Sequence, residues 1–390
     1  MKDNYRLSGL IIRHLQGDAV LWGAAFILAL ISLLEVYSTT GFLAYKNKAY
    51  NTEHYLLERL LFLGFGFIAM YIVHRIPPRY FNISSNLILV VSIILLILTL
   101  FFGSRVNDAN RWLKLPGLPF SFQPSDLAKL GMILFLSRHL ALCQSDISNW
   151  KRSLVFPSVW LCVICLLILP ANFSTAAMIF LISFLLMFIA RIPLKFLLTF
   201  LLITILIGLF SIFILSKVPG SRVSTWKSRI ENFGKYDNNN NYQTELAQMA
   251  IATGRLTGSG PGNNPYRYLL PQGSSDFIFS MIAGEWGILG SGFVILIYLV
   301  IMYRSVRIAL NSSSAFALFL SIGIGLMITV QAFINMLVGS TLIPVTGQPL
   351  PLVSMGGTGT IFTCAALGIL LSISRYNKKI SENYQNIENK

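Results

Sequence analysis

Asp276 stands where a polar, glycine-rich loop ending at Pro271 gives way to a long apolar run, in the stretch LLPQGSSDFIFSMIAGEWGILG (269–290). A carboxylate at the junction of water and a membrane helix is costly to bury and well placed to accept a proton. Ser274-Ser275-Asp276 is also ordinary N-capping chemistry, which would satisfy exposed N–H groups and favour the helix dipole. The position is compatible with either role or with both. Glu285 follows nine residues later. About two and a half turns would place the two carboxylates on opposite faces, roughly 13 Å apart. They are not a paired acid and base, and Glu285 is expected to bond inside the bundle or to hold a cation.

Two other polar stretches lie beside apolar runs. In NDANRWLKLPGLPFSFQPSDLAKLG (107–131), Pro124 marks a helix start that Ser125 or Asp126 could cap. Lys129 falls about one turn inside that helix. It could snorkel outward, pair with Asp126 three residues back, or contact an anion directly. The stretch NMLVGSTLIPVTGQPLPLVSMGGTG (335–359) holds Pro344, Pro349 and Pro351 among several glycines, so it cannot be a regular helix throughout. Irregular backbone at membrane depth is tolerated where it is buried in protein or lines a wet cavity. This segment is therefore expected to wall a cavity near Asp276, with a kinked connector as the alternative.

The elements that must position these residues are membrane helices. Charged residues make up only 12% of the 390 residues and hydrophobic ones 55%, about half the charge of a soluble domain. The mean hydropathy of +0.68 agrees. Ten segments are long and apolar enough to be candidate spans: approximately 19–39, 56–74, 84–103, 125–142, 154–170, 174–190, 195–216, 276–302, 314–338 and 355–374. The fold class expected is an all-α integral membrane protein of ten transmembrane helices, one domain over 1–390, with a large outer loop at 217–275 between helices seven and eight. No cleavable leader is expected, the first apolar run being long and without a small-residue cleavage site. The net charge of +15 is scattered between apolar segments, which points to bases flanking helices and meeting anionic lipid, not to nucleic acid. Short loops carrying Arg75, Arg79, Arg138, Lys151, Arg152, Arg191, Lys195, Arg304 and Arg307 place both termini in the cytoplasm.

Within the outer loop, Ser221 to Phe233 has the spacing of a basic amphipathic helix with Val223, Trp226, Ile230 and Phe233 on one side. Asp237 to Asn241 is expected to turn and Tyr242 to Arg255 to form a second short helix. Gly258 to Pro265 is a turn cluster; its glycines are only a weak match to a dinucleotide fingerprint, because no strand precedes them. Cys143, Cys162, Cys165 and Cys364 imply no disulfide framework, and His14, His54, His74 and His139 are too dispersed to form a cluster.

Taken together, FQPSDLAKL, the Tyr242-Gln243 pair, LPQGSSDFIF, GEWG (284–287) and PVTGQPLPLVSMGGT resemble the signatures of the SEDS family, which contains the cell-wall polymerases FtsW and RodA. The likeness runs in order over nearly the whole chain, and the SMGGT ending with the ANFSTA turn looks more like FtsW of the Bacteroidetes group than RodA. It implies a peptidoglycan glycosyltransferase in the bacterial cytoplasmic (inner) membrane. Such an enzyme joins lipid II units at the outer face, with a divalent cation (Mg or Mn), no organic cofactor, a class B penicillin-binding transpeptidase and other divisome proteins as partners. The family's carboxylate falls on Asp276, the residue singled out by position. Arg111, Lys129 and Arg229 are the candidates to offset the charge of the leaving pyrophosphate, Gln123, Ser125, Gln243, Ser275, Thr346 and Ser354 are further candidate substrate-binding residues, and Glu285 is a candidate metal ligand. The chain departs from the commoner pattern at Asn172, Gln272 and Gly284, where acids are usual, and at Asp126, where Glu is usual. These losses weaken the case for a multi-acid metal site. A lipid II flippase, a non-catalytic scaffold and the elongation-type polymerase are the rival readings. A flippase should place charge along a route to both faces, whereas the polar residues here cluster near the outer ends.

Overall fold

The computed structural model describes residues 16–41, 43, 51–106, 109–114, 121–147, 149–217, 223–231 and 242–388. Twelve α-helices lie among them: α1 (Ala19–Thr39), α2 (Thr52–Arg75), α3 (Pro78–Phe102), α4 (Pro124–Leu142), α5 (Phe156–Ile168), α6 (Phe173–Ile189), α7 (Leu194–Ser216), α8 (Val223–Glu231), α9 (Tyr242–Gly254), α10 (Ile278–Leu310), α11 (Ala315–Gly339) and α12 (Gly357–Glu388). Each of the ten expected segments overlaps a helix. Eight helical stretches are long and apolar enough to cross a membrane, α5 counting from Lys151 through a π-turn. The remaining two are α6, which is apolar but short, and α4, which carries Asp126, Lys129 and Arg138. The chain is a helical, multi-pass membrane protein.

Local chemistry sets the helix starts. Asp18 caps α1 by accepting from Val20 N at 2.9 Å and Leu21 N at 3.2 Å, while its other oxygen pairs with Arg304 of α10. Asn172 caps α6 through Thr175 N at 3.3 Å, and Ser314 caps α11 through Ala317 N at 3.2 Å. Pro124 occupies the first turn of α4 as expected, but the cap position is Gln123 and no side chain caps there. Ser125 and Asp126 lie inside the helix instead. α4 is buried along almost its whole length, which is why its polar residues must find partners within the protein. At the other extreme, only Leu197 and Phe200 of α7 are buried, as a lipid-facing helix requires.

Two features were not foreseen. The first is a three-stranded antiparallel sheet of β1 (Ser104–Val106), β2 (Ala109–Lys114) and β3 (Ser121–Phe122) in the second outer loop, a small exception to an all-α fold. The second is a break in α10. Gly287 has φ 67° and ψ −163°, a conformation that L side chains rarely adopt. The carbonyls of Gly284 and Glu285 accept instead from Ser259 N (3.1 Å) and Gly260 N (3.0 Å). On the far side, Ile288 N and Leu289 N donate to Arg255 O (3.1 Å) and Leu256 O (3.2 Å). The outer-loop backbone thus satisfies the groups that the break releases. Close approach explains Gly284 as well: a Cβ there would lie 2.0 Å from Asn264 Nδ2 and 2.5 Å from Ala250 O, so the usual acid has no room.

The outer loop holds both expected helices, trimmed to α8 and α9. Ser221, Phe233 and the 237–241 turn lie outside the described residues. Gly258 to Pro265 turns as expected. All four cysteines are free.

Candidate functional site

Asp276 lies one residue short of the α10 cap position, Phe277, and no side chain caps this helix. The capping role is therefore corrected, and the span begins at Ile278, not at 276. The Asp276 side chain lines a cavity of about 730 Å³. Its walls come from β2 (Arg111, Trp112), the start of α4 (Gln123, Asp126, Lys129), the start of α6 (Asn172 to Ser174) and α8 (Thr225, Trp226, Arg229). The turn before α10 (Gln272, Ser275, Asp276) and the 343–349 loop complete them, with Met355 to Gly357 and Gly359. The irregular segment expected to wall a cavity near Asp276 does so.

Three bases face two acids across this space, and one of each is already matched. Lys129 Nζ lies 2.8 Å from Asp126 Oδ1 and donates to Gln331 Oε1 at 3.0 Å, both ionic side chains being nearly buried. The alternative of a snorkelling lysine is excluded, because Lys129 is held inside. Arg111 and Arg229 line the same cavity as Asp276. A Cβ at Gly347 would sit 3.8 Å from Asp276 Oδ2 and 3.9 Å from Arg111 Nη1, which places those two groups at the same corner of the cavity. Arg229 Nη1 donates to Val345 O at 2.8 Å, fastening α8 to the irregular loop. Burial raises the Asp276 carboxyl above its ordinary range, while Arg229 and Arg111 pull it down. A carboxylate so placed is suited to take a proton, beside guanidinium groups suited to an anion.

The turn that carries Asp276 is pinned from two sides. Asn335, fully buried on α11, donates to Asp276 O at 3.0 Å and to Gln348 O at 2.8 Å. Ser354 Oγ donates to Ser275 O at 2.7 Å, and Met355 N to Ser274 O at 2.8 Å. Gln348 Nε2 reaches Thr175 Oγ1 at 2.8 Å, so α6 joins the frame. Behind the loop, the buried Arg59 donates to Ser32 Oγ and Thr360 Oγ1 (both 2.7 Å) and to the carbonyls of Gly356 and Leu352. A proline-rich loop that pairs little of its own backbone beyond the turn at Leu350 to Ser354 is held by side chains from neighbouring helices.

The family model for the FtsW/RodA/SpoVE cell cycle proteins matches residues 18–379. The chain belongs to that family. This FtsW/RodA/SpoVE member is 32% identical to the probable peptidoglycan glycosyltransferase FtsW of Nitrosococcus halophilus, with 92% of each chain covered. It is 31% identical to the protein of the same name from Hydrogenovibrio crunogenus (91% of each) and 29% identical to stage V sporulation protein E of Bacillus subtilis (93% and 98%). Among solved structures it superposes with TM-score 0.74 on a chain of a peptidoglycan synthase complex that coordinates polymerization and crosslinking, at 25% identity over 93% and 98% of the chains. The rod shape determining protein RodA of Thermus thermophilus gives 0.65, at 25% identity over 93% and 97%.

Of the residues singled out in sequence, Asp276, Arg111, Gln123, Lys129, Arg229, Ser275 and Thr346 line the cavity. Ser125 lies just outside it and accepts from Gln123 Nε2 at 2.9 Å. Ser354 is behind the wall as a tether, and Gln243 on α9 is not among the lining residues. Glu285 is buried away from the cavity, its oxygens accepting from Ser38 Oγ and from Gly262 N at 2.9 Å. It bonds inside the bundle, as one of its two expected roles required. Sequence reasoning missed Asn335, Gln348 and Arg59, whose partners are remote along the chain. A polar side chain in an apolar helix could have signalled Asn335 and Arg59, whereas Gln348 lies in the irregular loop. Asn172, noted only as a departure, both caps α6 and lines the cavity.

Proposed function

We propose that this protein is a peptidoglycan glycosyltransferase polymerising lipid II at the outer face of the cytoplasmic membrane, with Asp276 as its general base. The observation that carries the reading is the partly buried Asp276 carboxylate sharing one cavity with Arg111 and Arg229. Asp276 takes the proton of the acceptor sugar's 4-hydroxyl as that oxygen bonds to the donor's anomeric carbon. The bond from that carbon to the pyrophosphate oxygen breaks, and its electron pair leaves with undecaprenyl pyrophosphate. Arg111 and Arg229 offset the charge on the leaving group, and Lys129, neutralised by Asp126, shapes that wall. Gln123, Ser275 and Thr346 offer hydrogen bonds to the sugars and phosphates.

A divalent cation fits this cavity when it arrives on the pyrophosphate. Such ions are commonly held by one or two carboxylates plus substrate phosphates, and Asp276 and Asp126 are the acids present. Bound there, it would supply further charge neutralisation. Among the described residues no three His, Cys, Asp or Glu side chains converge, so no wholly protein-built cage is implied.

Ten spans with both termini cytoplasmic, in one domain over 1–390, are the topology we assign, supported by the loop bases and by the eight helical stretches long and apolar enough to cross together with α4 and α6. A class B penicillin-binding transpeptidase is the partner proposed, in line with the synthase complex whose chain this one resembles. The FtsW names of the relatives support a septal role, and the Bacteroidetes-like motifs support that branch of the family. Purified protein with its partner, labelled lipid II and Mg²⁺ tests the activity. Native protein should yield glycan ladders, and folded Asp276→Asn should lose roughly 10²–10⁴-fold in rate. Ladders of equal strength from both would remove Asp276 from its role. None from either, beside an active control polymerase, would favour transport or scaffolding.

A further inference from the structure

Glu35 lies in the second half of α1, fully buried, and among the described residues its carboxyl oxygens make no close hydrogen bond, the Trp286 indole being the polar group beside them. Its charged neighbour is Glu285, itself 1% exposed, and the Trp286 indole lies beside it. Ser38, one turn beyond Glu35 and on the same helix face, donates to Glu285 Oε1, so the α1 face and Glu285 meet. Gly262 N covers the other Glu285 oxygen at 2.9 Å. Arg267 is the base that acts on Glu285 from the outer loop, but its guanidinium bonds to the Tyr268 hydroxyl and lies over that ring at 4.4 Å. Among the described residues, two buried acids therefore share one partly committed base.

The backbone adds to the imbalance. Glu285 is at the end of the first limb of α10, just before the break at Gly287. The C-terminal end of a helix carries partial negative charge, and the ends of broken membrane helices are where cations are commonly coordinated. A buried carboxylate without a partner is expensive. A proton would neutralise one acid only.

We propose that Glu35 and Glu285, with the Ser38 hydroxyl, form a buried site for one hard divalent cation at the break in α10, separate from the cavity that holds Asp276. Carboxylate and hydroxyl oxygens are the ligands such ions take, and backbone carbonyls and water complete the shell. Bound ion ties α1 to the broken limb that leads back to Asp276. The site stands whether or not the chain polymerises lipid II.

Full-length protein in nanodiscs, stripped with chelator and titrated with Mn²⁺, tests it by electron paramagnetic resonance of the free ion and by thermal unfolding. Native protein should bind one Mn²⁺ in the absence of lipid II and melt higher with it. Asp276→Asn should bind equally, since it leaves this site intact. The isosteric Glu35→Gln should bind roughly tenfold or more weakly and lose the Mn²⁺-dependent rise in melting temperature. Native protein that binds no Mn²⁺, a Glu35→Gln protein that binds as well as native, or binding abolished by Asp276→Asn alone would each overturn the proposal. The first result combined with a higher melting temperature for Glu35→Gln identifies Glu35 as a protonated acid instead. Because native titration and Asp276→Asn are read without lipid II, a failed polymerase assay leaves the outcome unaffected.

Discussion

Asn335→Ala separates positioning of the Asp276 turn from chemistry. The Asn335 amide nitrogen donates to two carbonyls, Asp276 O at 3.0 Å and Gln348 O at 2.8 Å, in a fully buried setting. Each bond contributes about 1 kcal/mol net, and a buried acceptor left unpaired costs about 1–3 kcal/mol. The Asn335 oxygen has no partner, so its removal strands nothing further. With two acceptors stranded, the expected loss of stability is therefore about 2–6 kcal/mol. Activity should fall by more than that loss alone would cause, because the two strands of the cavity wall are no longer joined. A displacement of about 1 Å at the reacting group costs roughly 100-fold. The assay is lipid II polymerisation at a temperature well below the melting point, with thermal unfolding measured in parallel. Ser280→Ala is the matched control: it removes one buried bond, to Gly339 O at 2.7 Å, on a residue that does not line the cavity. If Asn335→Ala and Ser280→Ala retain the same activity when both are folded, the tether does not position Asp276.

The Lys129–Asp126 pair predicts a second asymmetry. Lys129→Met alone strands a buried carboxylate and should cost about 3–5 kcal/mol, whereas Lys129→Met with Asp126→Asn should recover most of it. Equal melting temperatures for the two proteins would show that the pair is not what matters. The raised Asp276 carboxyl predicts the pH dependence. Its folded form binds the proton more tightly than the unfolded chain does, so the stability it lends is present below the ordinary Asp range and lost as pH rises through its folded value. As a base it works once ionised, so the acid limb of the polymerisation rate should lie above the ordinary value of about 3.9. Arg229→Gln should move that limb higher, and a downward move would contradict the arrangement. At the α10 break, Gly284→Ala should destabilise by about 1–3 kcal/mol or more, since its Cβ meets Asn264 and the Ala250 carbonyl; an unchanged melting temperature would refute the close approach.

The helices were legible because apolar length alone marks them, and their starts fell within a few residues of the caps and prolines. Asp276 was legible from its place between a polar loop and an apolar run, and Lys129 from its three-residue spacing to Asp126. The sheet was not, since β1 and β3 are too short to show alternation. The break at Gly287 was hidden because the apolar run continues through it. Arg59 and Asn335 act on carbonyls contributed by residues far away or by loops without a pattern of their own, so no local signal exists. Glu35 was passed over as one acid in a long apolar run; its meaning depends on Glu285, some 250 residues later.

The break in α10 also sets the depth at which the carboxylate works. A continuous helix of 33 residues would be about 50 Å long, well beyond a hydrocarbon core of about 30 Å. Past Gly287, residues 288–310 are long enough to cross by themselves, and their exposed Ile288, Leu289, Phe293 and Leu296 are suited to lipid. The first limb, buried from Ile278 to Glu285, is enclosed by protein. Bilayer thickness therefore acts on the second limb, while the height of Asp276 is fixed by its protein surroundings. The reacting groups keep their level when the membrane around them thins or thickens.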